Sequence, residues 1–479
     1  MSQPFKSIPG PRALPVVGSL GPLSGDALVT LSSLAAEHGP IARFGILGRQ
    51  FVLLSDPELI REVLVEKAEL FPKAQRDVEI LGRFLGKGLV TNNGASHRRQ
   101  RKLAQPAFHH RRIQAYAETM VDYTAAHTAG WIDGAAYDIG EEMRRLTMYI
   151  VAKTLFDVDH EEIEAFAAGV GVSIHNLQQI SDERFDELFS LPDWVPTARN
   201  RLDRRSREAL NAAVEQIIAL RQAQAVDGEV PDRGDLLSML MLARDEEGRP
   251  MDDRQLRDEV VTLFVAGHET TSNALTWTWL LLAQHPEVAA KLHAELDAVL
   301  VGRDGGRRPP TLADLPQLPF ALQVIKESMR LYPPVWVLNT RTASEDTTIG
   351  DYTIPKGTQI FISQYVMHRQ ARFFAEPERF DPARWTPEFE ANLPKFAYMP
   401  FGGGPRVCIG NSFAMMEAQL LLATIAERWN LDLIPGQSFA AAALITLGPK
   451  TPIQMRAHLR VPVHEAELPC EQATPLVFA

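Results

Sequence analysis

From Met251 to Glu287 the sequence MDDRQLRDEVVTLFVAGHETTSNALTWTWLLLAQHPE carries one helical pattern without a break. Apolar residues recur three and four apart, Asp252 or Asp253 can cap the start, and Pro286 stands just past the end. At about 1.5 Å per residue such a helix runs roughly 45–50 Å, enough to cross a whole domain. The other elements must then pack around a central rod. Its most apolar part, Val260 to Ala283, still holds His268, Glu269, Asn273 and several threonines, so it reads as a buried helix rather than a lipid span.

Around that rod the signals are mostly helical, and residues 151–225 keep a helical period throughout. Ile41–Gly45 and Gln50–Ser55 read as a short hairpin, with Asp56 opening a helix at PELIREVL. Loops punctuate 226–235 and 301–310. Strand signals cluster late: one strand at Val335–Thr340, TTIGDYTIPKGTQIFIS with a turn at Pro355-Lys356-Gly357, and a hairpin in ITLGPKTPIQMRA. No strand–helix–strand alternation and no internal repeat occurs. The expected fold is mainly α with small peripheral β-sheets.

Composition narrows the function classes. A formal net charge of -11 argues against a nucleic-acid protein, which needs a basic footprint. The two cysteines, Cys408 and Cys470, cannot form a disulfide scaffold and point to a reducing compartment. MSQPFKSIPGPRALPVVG holds no apolar run of signal or anchor length, so a soluble, cytoplasmic protein without a membrane anchor is expected.

The stretch FGGGPRVCIG, Phe401 to Gly410, holds four of the chain's 31 glycines and one of its two cysteines. A thiolate that binds a metal needs positive dipoles nearby and a fixed approach. Glycines let N–H groups turn toward sulfur, the helix that follows offers its positive end, and Arg406 adds a cation. Cys408 as a small buried hydrophobe is the competing reading.

On the long helix Ala266-Gly267 interrupts the apolar run, although a helix-interior Gly costs about 1 kcal/mol relative to Ala. Glu269, Thr270 and Thr271 follow at once. The notch gives space for a flat cofactor and a diatomic ligand, the hydroxyl can bond that ligand or a water, and the carboxylate can feed protons. Close helix packing at Gly267, with Glu269 in a buried salt bridge, accounts for the same residues. Glu327 and Arg330 share a helix face, a spacing also met at Glu58/Arg61, Glu141/Arg144, Glu246/Arg249 and Glu376/Arg379. Glu327 differs in ending an apolar helix, followed by LYPP and by PERFDPARW, which offers a second arginine.

Taken in order, these segments resemble the cytochrome P-450 superfamily, the haem-thiolate monooxygenases, over essentially the full chain. The family's cysteine loop, Phe-x-x-Gly-x-Arg-x-Cys-x-Gly, is matched at Phe401, Gly404, Arg406, Cys408 and Gly410. Its oxygen-binding helix is matched at Ala266, Gly267, Glu269, Thr270 and Thr271, and its Glu-x-x-Arg pair at Glu327 and Arg330 with a partner at Arg379. The resemblance implies one haem domain over 1–479, its long central helix lying over a buried haem. A proline-rich start at 1–18 and a tail of unassigned role at 463–479, with Cys470 incidental, flank it. It implies haem b (iron protoporphyrin IX) with Cys408 as the iron ligand, Phe401 near the sulfur and Arg406 on a propionate. Thr270 and Glu269 steer protons to bound O2, while Glu327, Arg330 and Arg379 form a structural network behind the haem.

Many members carry Trp-x-x-x-Arg over the haem edge. The stretch GASHRRQRKLAQPAF offers His97 and Arg101 instead, which with Arg341 are expected to bind propionates. Arg98, Arg99, Arg101, Lys102, Arg111 and Arg112 make a basic run on an acidic protein. By resemblance it faces a separate electron donor, a ferredoxin or flavodoxin with its reductase, whereas charge runs in general are solvated faces. The implied pocket is apolar at Ile80, Leu81, Phe84, Phe264, Val335, Trp336, Val337 and Ile445. A monomeric O2-dependent monooxygenase that hydroxylates or epoxidises a fatty acid, terpenoid or steroid-like molecule is expected. A peroxide-driven peroxygenase, or a haem sensor without turnover, is the alternative.

Overall fold

The computed structural model describes residues 2–12, 26–46, 49–157, 160–187, 191–225, 230–302 and 305–460. The tail at 463–479 with Cys470, and residues 13–18 of the proline-rich start, lie outside the described residues. In chain order the helices that build the site are α1 (Gln75–Leu85), α2 (Gly94–Ala104), α3 (Ile139–Phe156), α4 (His160–Asp186), α5 (Asp253–Gln284), α6 (Pro319–Leu331) and α7 (Asn411–Arg428).

The rod is α5, with 32 residues. Asp252 caps it by accepting the Gln255 N–H at 2.7 Å, and Pro286 begins the next helix. Helices α3, α6 and α7 pack around it, so most of its side chains are buried in the main core. The helical period over 151–225 is broken twice: α3 stops at Phe156 with Asp157 left-handed (φ 48°), and Asp186 and Ala198 bound a second break.

The strands are short: β1 (Ile41–Ile46), β2 (Arg49–Leu54), β3 (Ala136–Asp138), β4 (Arg341–Thr342), β5 (Thr347–Ile349), β6 (Tyr352–Ile354), β7 (Gln359–Ile362), β8 (Trp429–Leu433), β9 (Ala441–Ala443), β10 (Leu447–Pro449) and β11 (Gln454–Leu459). The largest sheet runs β1-β2-β7-β4, antiparallel except between β2 and β7. It covers a second core that includes Val52, Leu54, Ile60, Leu64, Ile362 and Met399. Trp336, Phe44 and Phe51 belong to a third cluster.

Two strand expectations need correction. Val335–Thr340 is no strand; its Val337 makes only an isolated bridge to Ser363, and pairing begins at Arg341. The backbone partners of this segment diverge, since Leu338 N–H goes to Ile362 O, Thr340 N–H to the Asp77 carboxylate, and Thr340 O to Ala74 N–H. The late hairpin is also absent. β10 pairs with β9, while β11 lies between β3 and β8. Leu447 is held elsewhere, its N–H by Pro334 O and its carbonyl by the Trp277 indole.

Candidate active site

One face of α5 is cut back. Thr262, Ala266, Gly267, Thr270, Thr271 and Ala274 fall on a single helical stripe, joined by Leu263, and all line one cavity. Ala266 is exposed in the middle of a largely buried helix because it faces that space. Gly267 serves packing as well, since a Cβ there would meet Val151 of α3 at 3.3 Å. Thr270 bonds its own helix, Oγ1 donating to Ala266 O at 2.9 Å.

The cysteine loop forms the opposite wall, contributing Phe401, Arg406, Cys408 and Gly410. Gly402 and Gly404 take positive φ (68° and 65°), which favours glycine. At Gly404 a Cβ would lie 2.1 Å from Leu64 O, and at Gly403 2.1 Å from the Phe396 ring, so the loop is seated directly on the second core. The Cys408 N–H donates to Phe401 O at 2.9 Å. The thiol is exposed toward the cavity although it lies deep in the fold. Enclosure pushes its pKa up, while the Gly410 N–H and Arg101 pull it down.

Lys73, His97, Arg101, Arg341 and Arg406 gather at the cavity too. Burial and mutual repulsion hold His97 down at about 3, and lower Arg341 and Arg406 to about 10. Arg101 is anchored to the loop, Nη1 donating to Val407 O at 2.7 Å, and Arg406 to Asn92 O at 2.6 Å.

Glu269 turns away from the cavity. It accepts from Thr446 Oγ1 at 2.7 Å and from the Gln178 amide of α4, and burial raises its pKa. Among the described residues it therefore stands neither in a salt bridge nor on the cavity wall, and any proton it supplies must first pass a rotation or a water.

Of the eight apolar residues expected around substrate, only Val335 lines this cavity. Phe264 lies two positions past Thr262, about 200° around α5, and packs on Phe156 and His268. Trp336 and Val337 belong with the third cluster, and the Trp336 indole donates to Leu444 O at 2.6 Å. Ile80, Leu81 and Phe84 make up the buried face of α1, and Ile445 packs against the main core. Leu89, Val90, Phe108, Leu263 and Leu338 stand on the wall instead. The small-residue stripe on α5 was the available signal for its part of the wall.

Behind the cysteine loop, Glu327 and Arg330 are fully buried. Arg330 Nε and Nη2 donate to the two Glu327 oxygens at 2.9 Å each. Arg379 does not close the network. Its guanidinium is exposed on Glu376, and only its carbonyl is used, by Arg330 at 3.0 Å. Arg384 takes its place, Nε donating to Glu327 Oε1 at 2.9 Å beside the Trp385 indole on Oε2 at 2.9 Å. Thermal unfolding should separate the two arginines: Arg379→Ala leaves the midpoint unchanged, and Arg384→Ala costs about 2 kcal/mol or more.

The basic run is largely paired within the chain. Arg98 meets Glu69, Arg99 meets Asp245, Lys102 meets Glu246 and Arg112 meets Asp232.

A thiol facing a cut-back helix across a cavity ringed by basic groups defines a haem-thiolate type of site. The sequence profile described as Cytochrome P450 matches residues 8–446. Cyclooctatin synthase of Streptomyces melanosporofaciens is 39% identical over 89% of this chain and 90% of its own. Cyclooctat-9-en-7-ol 5-monooxygenase of the same organism is 36% identical over 91% of each, and pentalenene oxygenase of Streptomyces avermitilis 33% over 94% and 97%. The chain belongs to the cytochrome P450 family and is a monooxygenase of it.

Membership implies a haem iron, and the residues present fit one. The stripe on α5 leaves a slot for a flat ring, the Cys408 thiol opens into the same space, and the crowded cations suit two carboxylates. Among the described residues no helix is long and apolar enough to cross a membrane.

Proposed function

We propose that the protein oxidises an apolar terpenoid at a haem b held by Cys408, with electrons from a separate donor protein. The observation that carries this reading is the cavity that joins the Cys408 thiol, the α5 stripe and an aliphatic wall of Leu89, Val90, Leu263 and Leu338. The haem would supply the iron chemistry by which one atom of O2 enters the substrate and the other leaves as water. His97, Arg101, Arg341 and Arg406 would hold its propionates, and Cys408 its iron. The aliphatic side chains of Leu89, Val90, Leu263 and Leu338 favour a hydrocarbon skeleton. Relatives named for cyclooctat-9-en-7-ol and pentalenene support the same class. The α2 surface, which backs directly onto Val407, is the proposed docking face for the donor.

Titration of the purified protein with pentalenene and with a saturated fatty acid of similar carbon number tests the substrate class. A saturable low-to-high-spin shift with the terpenoid alone is expected; a shift with the fatty acid alone would sink it. Thr270 lines the cavity with its hydroxyl donating to Ala266 O, and the oxygen's free lone pair would accept from a water or ligand there. Thr270→Ala should keep the carbon monoxide spectrum while product per electron pair falls about tenfold or more. Fully coupled turnover in that variant would remove Thr270 from proton delivery.

A further inference from the structure

Two buried ionisable groups flank one residue of the cavity wall. Lys73 is 8% exposed, and its Nζ donates to Leu89 O at 3.0 Å, Val90 O at 2.6 Å and Asn92 O at 3.4 Å. Glu259, fully buried on α5, accepts the Leu89 N–H on Oε2 at 3.1 Å, and its Oε1 has no hydrogen-bond partner. Neither group forms an ion pair among the described residues, and burial raises the Glu259 pKa to about 8 and pushes that of Lys73 well below its ordinary value. Burying such groups without pairing is costly, which makes a role in general stability a poor explanation.

The segment they hold is stapled to α5 at further points. Lys87 N–H donates to the Asp258 carboxylate at 2.8 Å, and Thr262 Oγ1 to Leu85 O at 3.2 Å. A Cβ on Gly88 would fall 2.0 Å from Thr262 Oγ1, so only glycine allows this approach. Leu89 and Val90 thereby stand in the cavity, with Lys73 beside them on the same wall. Lys73 is also tied by its backbone to the basic cluster, through a bridge to Arg341 and through Asn93 Oδ1, which takes its N–H at 3.2 Å and that of Arg406 at 3.1 Å.

We propose that Lys73 and Glu259 are positioning residues that clamp the Leu89 peptide from both ends, fixing Leu89 and Val90 over the substrate, and that the carboxylates of bound haem complete the clamp. The coupling is electrostatic. Burial, Arg406 and Arg341 all lower the Lys73 pKa, while Glu259 raises it; anionic carboxylates among these cations favour the charged ammonium that the carbonyls need. Seating of the cofactor and shaping of the substrate wall become one event. This inference rests on the proposed haem and apolar-substrate reading of the cavity.

The test uses haem-loaded protein and two nitrogen ligands of iron, imidazole and 4-phenylimidazole, read by the shift of the Soret band. The two differ only in the phenyl ring, which on this proposal would extend to the wall. In Lys73→Met, 4-phenylimidazole should bind about tenfold more weakly while imidazole changes less than about twofold, and Lys73→Arg should recover most of the difference. If Lys73→Met does not load haem, Glu259→Gln reports the same ratio, with a change of about threefold expected. An unchanged ratio in the variant measured, including equal losses for both ligands, would overturn the clamp. No shift with either ligand in the unaltered protein would overturn the haem reading itself, and the clamp with it.

Discussion

Cys408→Ser is expected to abolish the red-shifted Soret band of the reduced, carbon monoxide-treated protein, and product formation with it. The two side chains differ in acidity far more than in size. A thiol ionises near neutral pH when dipoles and cations support it, whereas a serine hydroxyl does not. Here the support is the Gly410 N–H and Arg101, working against the burial that raises the pKa. The loop itself should survive, since its shape rests on Gly402, Gly404 and the Cys408 N–H bond to Phe401 O, none of which involves sulfur. A folded, haem-loaded Cys408→Ser protein that kept the red-shifted band would remove Cys408 as the ligand.

The second large effect lies away from the cavity. Glu327→Ala should leave almost no folded, haem-loaded protein. Among the described residues it removes the one carboxylate that Arg330 and Arg384 pair with, leaving two guanidiniums with 0% and 8% side-chain exposure. Breaking a buried pair from one side costs about 3–5 kcal/mol, a large share of a typical total stability of about 5–15 kcal/mol. It also orphans the Asp381 N–H and the Trp385 indole, each bonded to Glu327 at 2.9 Å. Soluble yield, the haem-to-protein ratio and the thermal midpoint report the loss. A midpoint within a few degrees of the unaltered protein would show that the network is dispensable.

Legibility followed the range of the interactions. The α5 boundaries were readable because Asp252 and Pro286 act on their immediate neighbours, and the 41–55 hairpin for the same reason. The cysteine loop stood out through its glycines, and the cavity gathers His97 and Arg101 of α2, Arg341 of β4 and Arg406 of the loop, three segments far apart in the chain. Arg379 was misplaced because PERFDPARW offers two arginines, and the fold of its backbone selects Arg384 for Glu327. Phe264 was misplaced because an apolar residue beside Ala266 was counted without its helical phase. The ITLGPKTPIQMRA strands looked like partners, but β10 folds back on β9 just before it, and β11 is taken by β8 and by the distant β3. Lys73 gave no signal in sequence, since its three carbonyl partners are 16 to 19 residues away.

The seat of Gly404 on Leu64 has an evolutionary consequence. The glycine end of the loop that presents the thiol is registered against the small sheet-covered core, whereas the α5 stripe belongs to the large helical one. Substitutions that reshape the roof for a new molecule therefore need not disturb the anchor beneath it. Specificity can drift while reactivity is inherited intact.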